Sequence, residues 1–312
     1  MSTLLWKPTL AATLPHDHDL TTLPYPLLAS PKLDGVRAMV QHGVLVSRNG
    51  RPISNLQAQE KFGCVNYNDC DGELTRGHPY DQNVFNKTVR VTQKRDADAS
   101  DLRFNVFDYC FLGEVRFSDR SGWLKEKFAK GGIDLVKQTL IHDAAQLQAY
   151  LTAQLVKGYE GCMLRRADAG PYMQKRSTLK EFNLVKFKPW EFSEAVILAV
   201  YPLRHNDNTE KTSTGRRTTA KAGIRLDKTQ YGSALLRDVK TKVEFTVNIP
   251  TDNLRRWDGW AEPKRWLGKR VRYKFQLCGT LKGGAPRFPV ANFLEFPVAN
   301  FLQLFGDQSG RS

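Results

Sequence analysis

The sequence predicts two folds in series. An α+β domain of antiparallel sheets with flanking helices occupies residues 1–190, and an all-β domain occupies residues 191–312. Three observations carry this reading. Before Pro189, strand-like runs alternate with helical patterns such as Trp123–Lys130 and Asp143–Lys157. Composition shifts near Trp190. Beyond it, Glu194–Tyr201, Val243–Ile249 and Arg270–Gln276 read as strands with no strong helix between them.

The first domain is organised around Ser30-Pro31-Lys32-Leu33-Asp34-Gly35-Val36-Arg37. Asp34-Gly35 favours a tight turn, and Val36–Val40 then reads as a strand. Lys32 therefore stands at a strand mouth with Arg37 as a second cation. A free lysine, with a pKa of about 10.4, is a poor nucleophile at neutral pH. A nearby cation lowers that value, and such a lysine suits attack on phosphorus. Val36–Val40 and Val44–Arg48 flank a Gln41-His42-Gly43 turn. If His42-Gly43 is the two-residue loop, Gln41 pairs with Val44 and Arg37 lies opposite Arg48. Two like charges across a ladder make sense with an anion between them. A loop one residue longer would offset the pair.

Ser47-Arg48-Asn49-Gly50 ends the hairpin. Cys70-Asp71-Gly72-Glu73-Leu74 reads as a second Asp-Gly turn, with Glu73 entering a strand. Asp81–Ser100 is polar and basic and reads as surface loops. Phe104–Asp108 alternates as a half-buried strand would. Trp123–Lys130 is a short helix candidate. In Asp143–Lys157, Leu147, Leu151 and Leu155 form one apolar stripe, Asp143 caps the start and Gly158 marks the end. Tyr159–Arg165 is a strand led by Glu160. Phe182–Pro189 is a strand with Lys186 and Lys188 on one face, closed by Pro189.

In the second domain, Arg270, Arg272 and Lys274 make a basic face on an alternating strand, and a small closed barrel of the oligonucleotide-binding type is expected. Lys211–Lys228 carries Lys211, Arg216, Arg217, Lys221, Arg225 and Lys228. It reads either as a solvated loop or as a loop tracking a nucleic-acid backbone. Phe288–Glu295 is repeated at once as Phe296–Gln303 with seven of eight positions identical. A strand repeats every two residues and eight is even, so either copy can present the same face. One copy is expected at an edge of the barrel, with the other surplus.

The formal charge is +15, from 47 Lys and Arg against 32 Asp and Glu, which points to a polyanionic partner. No apolar run approaches 18 residues, and Met1–Pro24 lacks the order of a signal peptide, so a soluble cytosolic protein without a membrane partner is expected. Five dispersed cysteines without a C-x-x-C pair argue against a zinc site and fit a reducing compartment. His16 and His18 sit in a proline-flanked terminal segment and read as an exposed loop.

Lys32-Leu-Asp-Gly-Val-Arg37, Ser47-Arg-Asn-Gly50, Asp71-Gly-Glu-Leu74, Phe104–Asp108, Glu160-Gly-Cys-Met-Leu-Arg165 and Leu184-Val-Lys-Phe-Lys-Pro189 occur in that order. The set resembles the covalent nucleotidyltransferases, most closely the ATP-dependent DNA ligases in the compact form common in bacteriophages. The resemblance implies that Lys32 takes AMP from ATP, passes it to the 5′-phosphate of nicked duplex DNA, and lets the 3′-hydroxyl displace it. It places Ser30, Pro31, Leu33, Arg37, Arg48, Glu73, Phe107 and Lys186 at the nucleotide. Phe107 would stack on adenine, Glu73 would accept from the ribose, and Lys188 would act with Lys32 in catalysis. Glu160, with Glu73, would hold Mg2+ or another divalent cation. Arg37 and Arg48, with Arg216, Arg217, Lys221, Arg270, Arg272 and Lys274, would contact DNA. A monomer working in the cytoplasm, the host's if phage-encoded, is implied.

Two departures stand out. Many relatives have a glutamate two residues before the lysine, where this chain has Ser30. Relatives also end in a basic motif, whereas the only basic residue here after Arg287 is Arg311. An RNA-capping guanylyltransferase, an RNA ligase and a catalytically silent nicked-duplex binder share parts of the pattern. An NAD-dependent ligase would need zinc-finger cysteines that are missing.

Overall fold

Strands whose apolar residues alternate must be covered by a second layer, and the first half of the chain supplies two such sheets. The computed structural model describes residues 6–81, 83–110, 114–210, 217–249, 266–276 and 286–291. The chain forms two compact units, Met1–Pro189 and Trp190–Ser312.

In chain order the first unit contains β1 (Ala12–Thr13), β2 (Leu27–Pro31), β3 (Val36–Gln41), β4 (Val44–Ser47), β5 (Cys70–Arg76), β6 (Leu102–Tyr109), β7 (Asp134–Leu135), β8 (Thr139–Ile141), β9 (Cys162–Arg166) and β10 (Val185–Phe187). They form two five-stranded sheets, β1-β10-β9-β2-β8 and β4-β3-β5-β6-β7. The ladders are antiparallel except at two edge pairs, β1–β10 and β6–β7, which are parallel. Helices α1 (Leu56–Phe62), α2 (Val84–Gln93) and α3 (Phe117–Lys127) cover the second sheet through Ala58, Phe62, Val91 and Leu124. Helix α4 (Ala144–Val156) covers the first through Leu147 and Leu151. Asp143 caps α4, accepting from the Gln146 N–H at 2.8 Å.

Several expectations change. Asp71-Gly72 is not a turn but the interior of β5. Glycine is needed because a Cβ there would stand 2.5 Å from the Asn105 carbonyl oxygen of β6. Asp81–Ser100 is not all loop but contains α2, whose buried Thr88 and Thr92 donate their hydroxyls to the carbonyls of Val84 and Thr88. Internal bonds of this kind let a polar sequence bury a helix face. The helix expected at Trp123 begins at Phe117. β6 alternates as expected, with Leu102, Phe104, Val106 and Asp108 buried and Arg103, Phe107 and Tyr109 less so; Asn105 is also buried.

The second unit is a single antiparallel sheet. It contains β11 (Trp190–Asn206), β12 (Ile224–Asp238), β13 (Glu244–Asn248), β14 (Arg270–Gln276) and β15 (Arg287–Ala291), ordered β13-β12-β11-β14-β15. This is the all-β arrangement of an oligonucleotide-binding fold. Ala195, Ile197, Leu236, Phe245, Val247, Val271 and Tyr273 form its core. The basic segment 211–228 is not one loop, since β12 begins at Ile224 and takes in Arg225. Residues 211–216 lie outside the described residues. Phe288–Ala291, the described part of the first copy in the duplicated tail, lie in the edge strand β15, where Pro289 removes no ladder bond from a central strand. The second copy, Phe296–Gln303, lies outside the described residues, as does Arg311.

Candidate active site

Lys32 sits in the short link that carries the chain from β2 in the first sheet to β3 in the second. Its backbone is fixed on both sides. The Lys32 N–H donates to the Gly161 carbonyl at 2.9 Å, and the Glu160 N–H donates to the Lys32 carbonyl at 3.3 Å. Gly161 has φ +146°, and a Cβ there would meet the Phe187 carbonyl oxygen at 2.3 Å. Only glycine therefore lets the Glu160 loop lie against both Lys32 and β10.

The nearest partner of the Lys32 amine is a carboxylate. Lys32 Nζ and Lys188 Nζ donate to the two oxygens of Glu160, which is buried. Burial works against the Glu160 carboxylate, but Lys32 and Lys188 together outweigh it and hold the carboxyl below its usual range. Burial and then the Lys32 charge push Lys188 down. Lys186 is pushed down by burial, Lys32 and Arg176. The lysine cluster expected from the sequence is present, with Glu160 at its centre.

Arg37 has a different surrounding from the one expected. The His42-Gly43 turn does pair Gln41 with Val44, but the ladder ends at Ala38–Ser47, one step short of Arg48. Arg37 pairs across the other ladder with Glu73. Its guanidinium already has an anion, donating from Nε to Asp71 at 2.6 Å and from Nη2 to the other Asp71 oxygen. Burial opposes the Arg37 charge, and Asp71 more than restores it. Arg37 therefore stays charged, with Asp71 as its partner.

Ser30, Pro31, Lys32, Leu33 and Arg37 line one cavity of about 270 Å3. Arg48, Glu73, Phe107, Lys186 and Lys188 line the same cavity from other elements. Glu160 lies behind it, reached through Lys32 and Lys188. Phe107 owes its position to a bulge: Asp71 pairs with Asp108 and Gly72 with Val106, so Phe107 is the extra residue. Such a bulge re-aims a side chain. The Arg37 guanidinium carbon lies 4.7 Å from the Phe107 ring centre. Behind the bulge, buried Asp108 pairs with Arg120 at 2.9 Å and Arg165 at 2.8 Å. Glu73 accepts no hydrogen bond through its carboxylate among the described residues. Burial first, then Asp71 and Asp34, push it up to about 7 against the pull of Lys32 and Arg37.

Sequence reading missed Gln138, Met163, Arg165 and Arg176, which also line the cavity. Met163 and Arg165 lie within a quoted motif, but nothing in their spacing marked them. The remaining predicted residues belong to the second unit. Arg270, Arg272 and Lys274 alternate along β14. Phe192 lies 5.0 Å from the Arg272 guanidinium carbon, and Trp190 lies 5.2 Å from Lys274 Nζ, two aromatics the sequence reading left out. Arg217 is exposed and donates to the Asn206 carbonyl at 2.8 Å, and Lys221 is exposed. Arg216 lies outside the described residues.

These features can be set beside known proteins. The family model of the ATP dependent DNA ligase domain matches residues 8–188. A Lig E DNA ligase, described as binding DNA with a minimal scaffold, is 23% identical with a TM-score of 0.66, covering 93% of this chain and 99% of its own. Chlorella virus DNA ligase-adenylate is 24% identical in one structure, covering 92% of this chain and 98% of its own, with a TM-score of 0.52. A second structure of it is 26% identical at the same TM-score, covering 92% and 97%. No curated protein matches in sequence. The match over residues 8–188 covers more than half of the 312-residue chain, and the chain belongs to the ATP-dependent DNA ligases.

Proposed function

We propose that this ligase seals nicks in duplex DNA and that Lys32 carries AMP from ATP to the nick. One observation carries the reading: the Lys32 amine stands at the junction of two sheets, on a cavity lined by Lys186, Lys188, Arg48 and Phe107. In the first step the Lys32 nitrogen bonds to the α-phosphorus as the bond to pyrophosphate breaks. In the second, a 5′-phosphate oxygen takes the AMP from Lys32. In the third, the 3′-hydroxyl attacks that phosphate, its proton leaves, and AMP departs. Each is phosphoryl transfer, where positioning and charge neutralisation supply most of the catalysis. Lys186 and Lys188 face the α-phosphate, Phe107 offers a face to the base, and Glu73 accepts from the ribose. Arg37, held by Asp71, presents the rest of its guanidinium to a phosphate.

A divalent cation fits the donor set. Mg2+ binds through one or two carboxylates with substrate phosphates completing its shell, and no dedicated cluster of three or more ligands occurs among the described residues. Glu160, with Glu73, would hold it, and when bound it would neutralise charge on the phosphates. The +15 charge and the β14 face support duplex DNA as the partner. Unpaired Cys64, Cys70, Cys110 and Cys162 support work in a reducing cytoplasm, and a monomer is part of the same proposal.

The test is labelling with α-radioactive ATP and, separately, GTP. An acid-labile adduct with ATP alone is expected, and it should vanish in Lys32→Arg, whose guanidinium stays protonated. A GTP adduct would make the protein a guanylyltransferase, and a normal adduct in the variant would remove Lys32 from the role.

A further inference from the structure

The cavity has a row of side chains whose far end lacks an assigned role. In the first sheet Lys186 pairs with Met163, and Met163 pairs with Ser30. On the other side of β2, Ala29 pairs with Thr139. Gln138 stands one residue before Thr139, just past the last rung of that ladder. Residues directly opposite in a ladder share a face. Lys186, Met163 and Ser30 therefore form one row, Gln138 stands just past its end, and all four line the cavity. A cation stands at one end, a thioether and a small hydroxyl in the middle, and an amide at the other end. Phe107 faces the row from the second sheet. A nucleotide with its α-phosphate at Lys186 and its base between Met163 and Phe107 extends its base edge toward Gln138.

The orientation of that amide is set locally. Gln138 Nε2 donates to the Val136 carbonyl at 3.4 Å, which turns the nitrogen toward the backbone and leaves the side-chain oxygen as an acceptor. The segment is itself anchored, because the Val136 N–H donates to the Val106 carbonyl of β6 at 2.9 Å. Gln138, like Lys32, thus lies on a short connection between the two sheets. An acceptor at this place takes the 6-amino group of adenine and opposes the 6-oxo group of guanine. Where many relatives have a glutamate, this chain has Ser30, which is too short to reach across.

We propose that Gln138 is the residue that reads the base, accepting a hydrogen bond from the adenine 6-amino group. The inference rests on the lysyl-AMP reading above. Its test compares adduct formation by the parent, Gln138→Ala and Gln138→Glu with ATP, GTP and purine riboside triphosphate, which lacks the 6-amino group. In Gln138→Ala the KM for ATP should rise about tenfold, the size of one lost neutral hydrogen bond, with little change in kcat. Purine riboside triphosphate should be used equally by parent and variant, and the preference for ATP over GTP should narrow. Gln138→Glu keeps an acceptor and should hold its ATP KM within about threefold of the parent. An unchanged ATP KM in Gln138→Ala, or the same rise with ATP and with purine riboside triphosphate, overturns the assignment while leaving Lys32 in place. No adduct in the parent with ATP overturns the lysyl-AMP reading itself, and this inference with it, so the two failures are distinguishable.

Discussion

Glu73, partly buried, and Asp238, buried, are both acidic side chains, and their titrations move in opposite directions. Glu73, in the cavity of the first unit, is pushed up to about 7, first by burial. Asp238, 2% exposed in the second unit, is held down to about 2 although burial works against it. The difference is the supply of donors. Asp238 accepts from Ser193 Oγ at 2.6 Å, Tyr273 OH at 2.7 Å, and the N–H groups of Lys240 and Thr241 at 2.9 and 2.6 Å. Glu73 accepts from no protein donor among the described residues. One carboxylate is saturated by fixed neutral groups and serves the fold. The other is left open toward a cavity, where a ligand can complete it.

The largest effect that sharpens this contrast is expected at Lys188. Its charge is shared with Glu160 and it faces the cavity. Lys188→Ala should slow adduct formation by about 10²-fold or more, the scale of one preorganised charge contact. Lys32 keeps Glu160 paired, so the fold should survive. An unchanged single-turnover rate at saturating ATP would remove Lys188 from the chemistry.

Next comes Glu73 itself. A carboxyl whose folded pKa lies above its unfolded value stabilises the fold below the unfolded value, near 4.5, and loses that contribution as pH rises to about 7. Glu73→Gln should therefore melt higher than the parent at pH 8, with the gap closing by pH 4. The same variant should lose kcat/KM for ATP, and the parent's kcat/KM should fall as pH drops below about 7. A variant that melts lower at pH 8 would show that Glu73 is a structural group after all.

How much of this was legible in the sequence follows from the same contrast. The order of motifs located Lys32, Glu73, Phe107, Glu160, Lys186 and Lys188, because these residues are local signals at fixed spacing. The sequence could not show that Arg37 faces Asp71, since strand pairing across β3 and β5 is non-local. Asp71-Gly72 carries turn chemistry by composition, but the close approach of β6 overrides it. Gln138 carries no motif and reaches the cavity only because the non-local pairing of β8 with β2 begins at the next residue. Lys240 and Thr241 lie in the turn after Asp238, but the donors Ser193 and Tyr273 come from β11 and β14, so no local window contains the full set.

Asp238 gives the third test. A carboxyl with a depressed folded pKa stabilises the fold above its unfolded value, near 3.8, and that contribution is lost as pH falls to about 2. Asp238→Asn should lose about 1–3 kcal/mol at neutral pH, since its amide nitrogen cannot accept from these donors. Its stability should also fall less than the parent's between pH 4 and pH 2. Equal acid sensitivity in both proteins would place the acid-labile group elsewhere.

The smallest expected effect separates two basic regions that looked alike in sequence. Arg217 spends a donor on the Asn206 carbonyl, and Arg270 lies 3.8 Å from Glu194. Arg272 and Lys274 instead rest on Phe192 and Trp190 and make no salt bridge within 4.0 Å among the described residues, although Glu194 stands opposite Arg272 in the ladder. A cation against an aromatic face keeps its charge available to a phosphate, whereas one already paired must give up its partner first. Log affinity for nicked duplex should fall linearly with log salt, and each lost phosphate contact should shallow the slope by about 0.9. Replacing Arg272 and Lys274 by Ala should therefore shallow the slope by nearly two such contacts. Replacing Arg217 and Lys221 should change it by one contact or less, through exposed Lys221. Equal changes from the two pairs would show that the local partners seen here do not decide which cations meet the backbone. A larger change from Arg217 and Lys221 would move the main duplex contact off the β14 face and onto the segment that leads into β12.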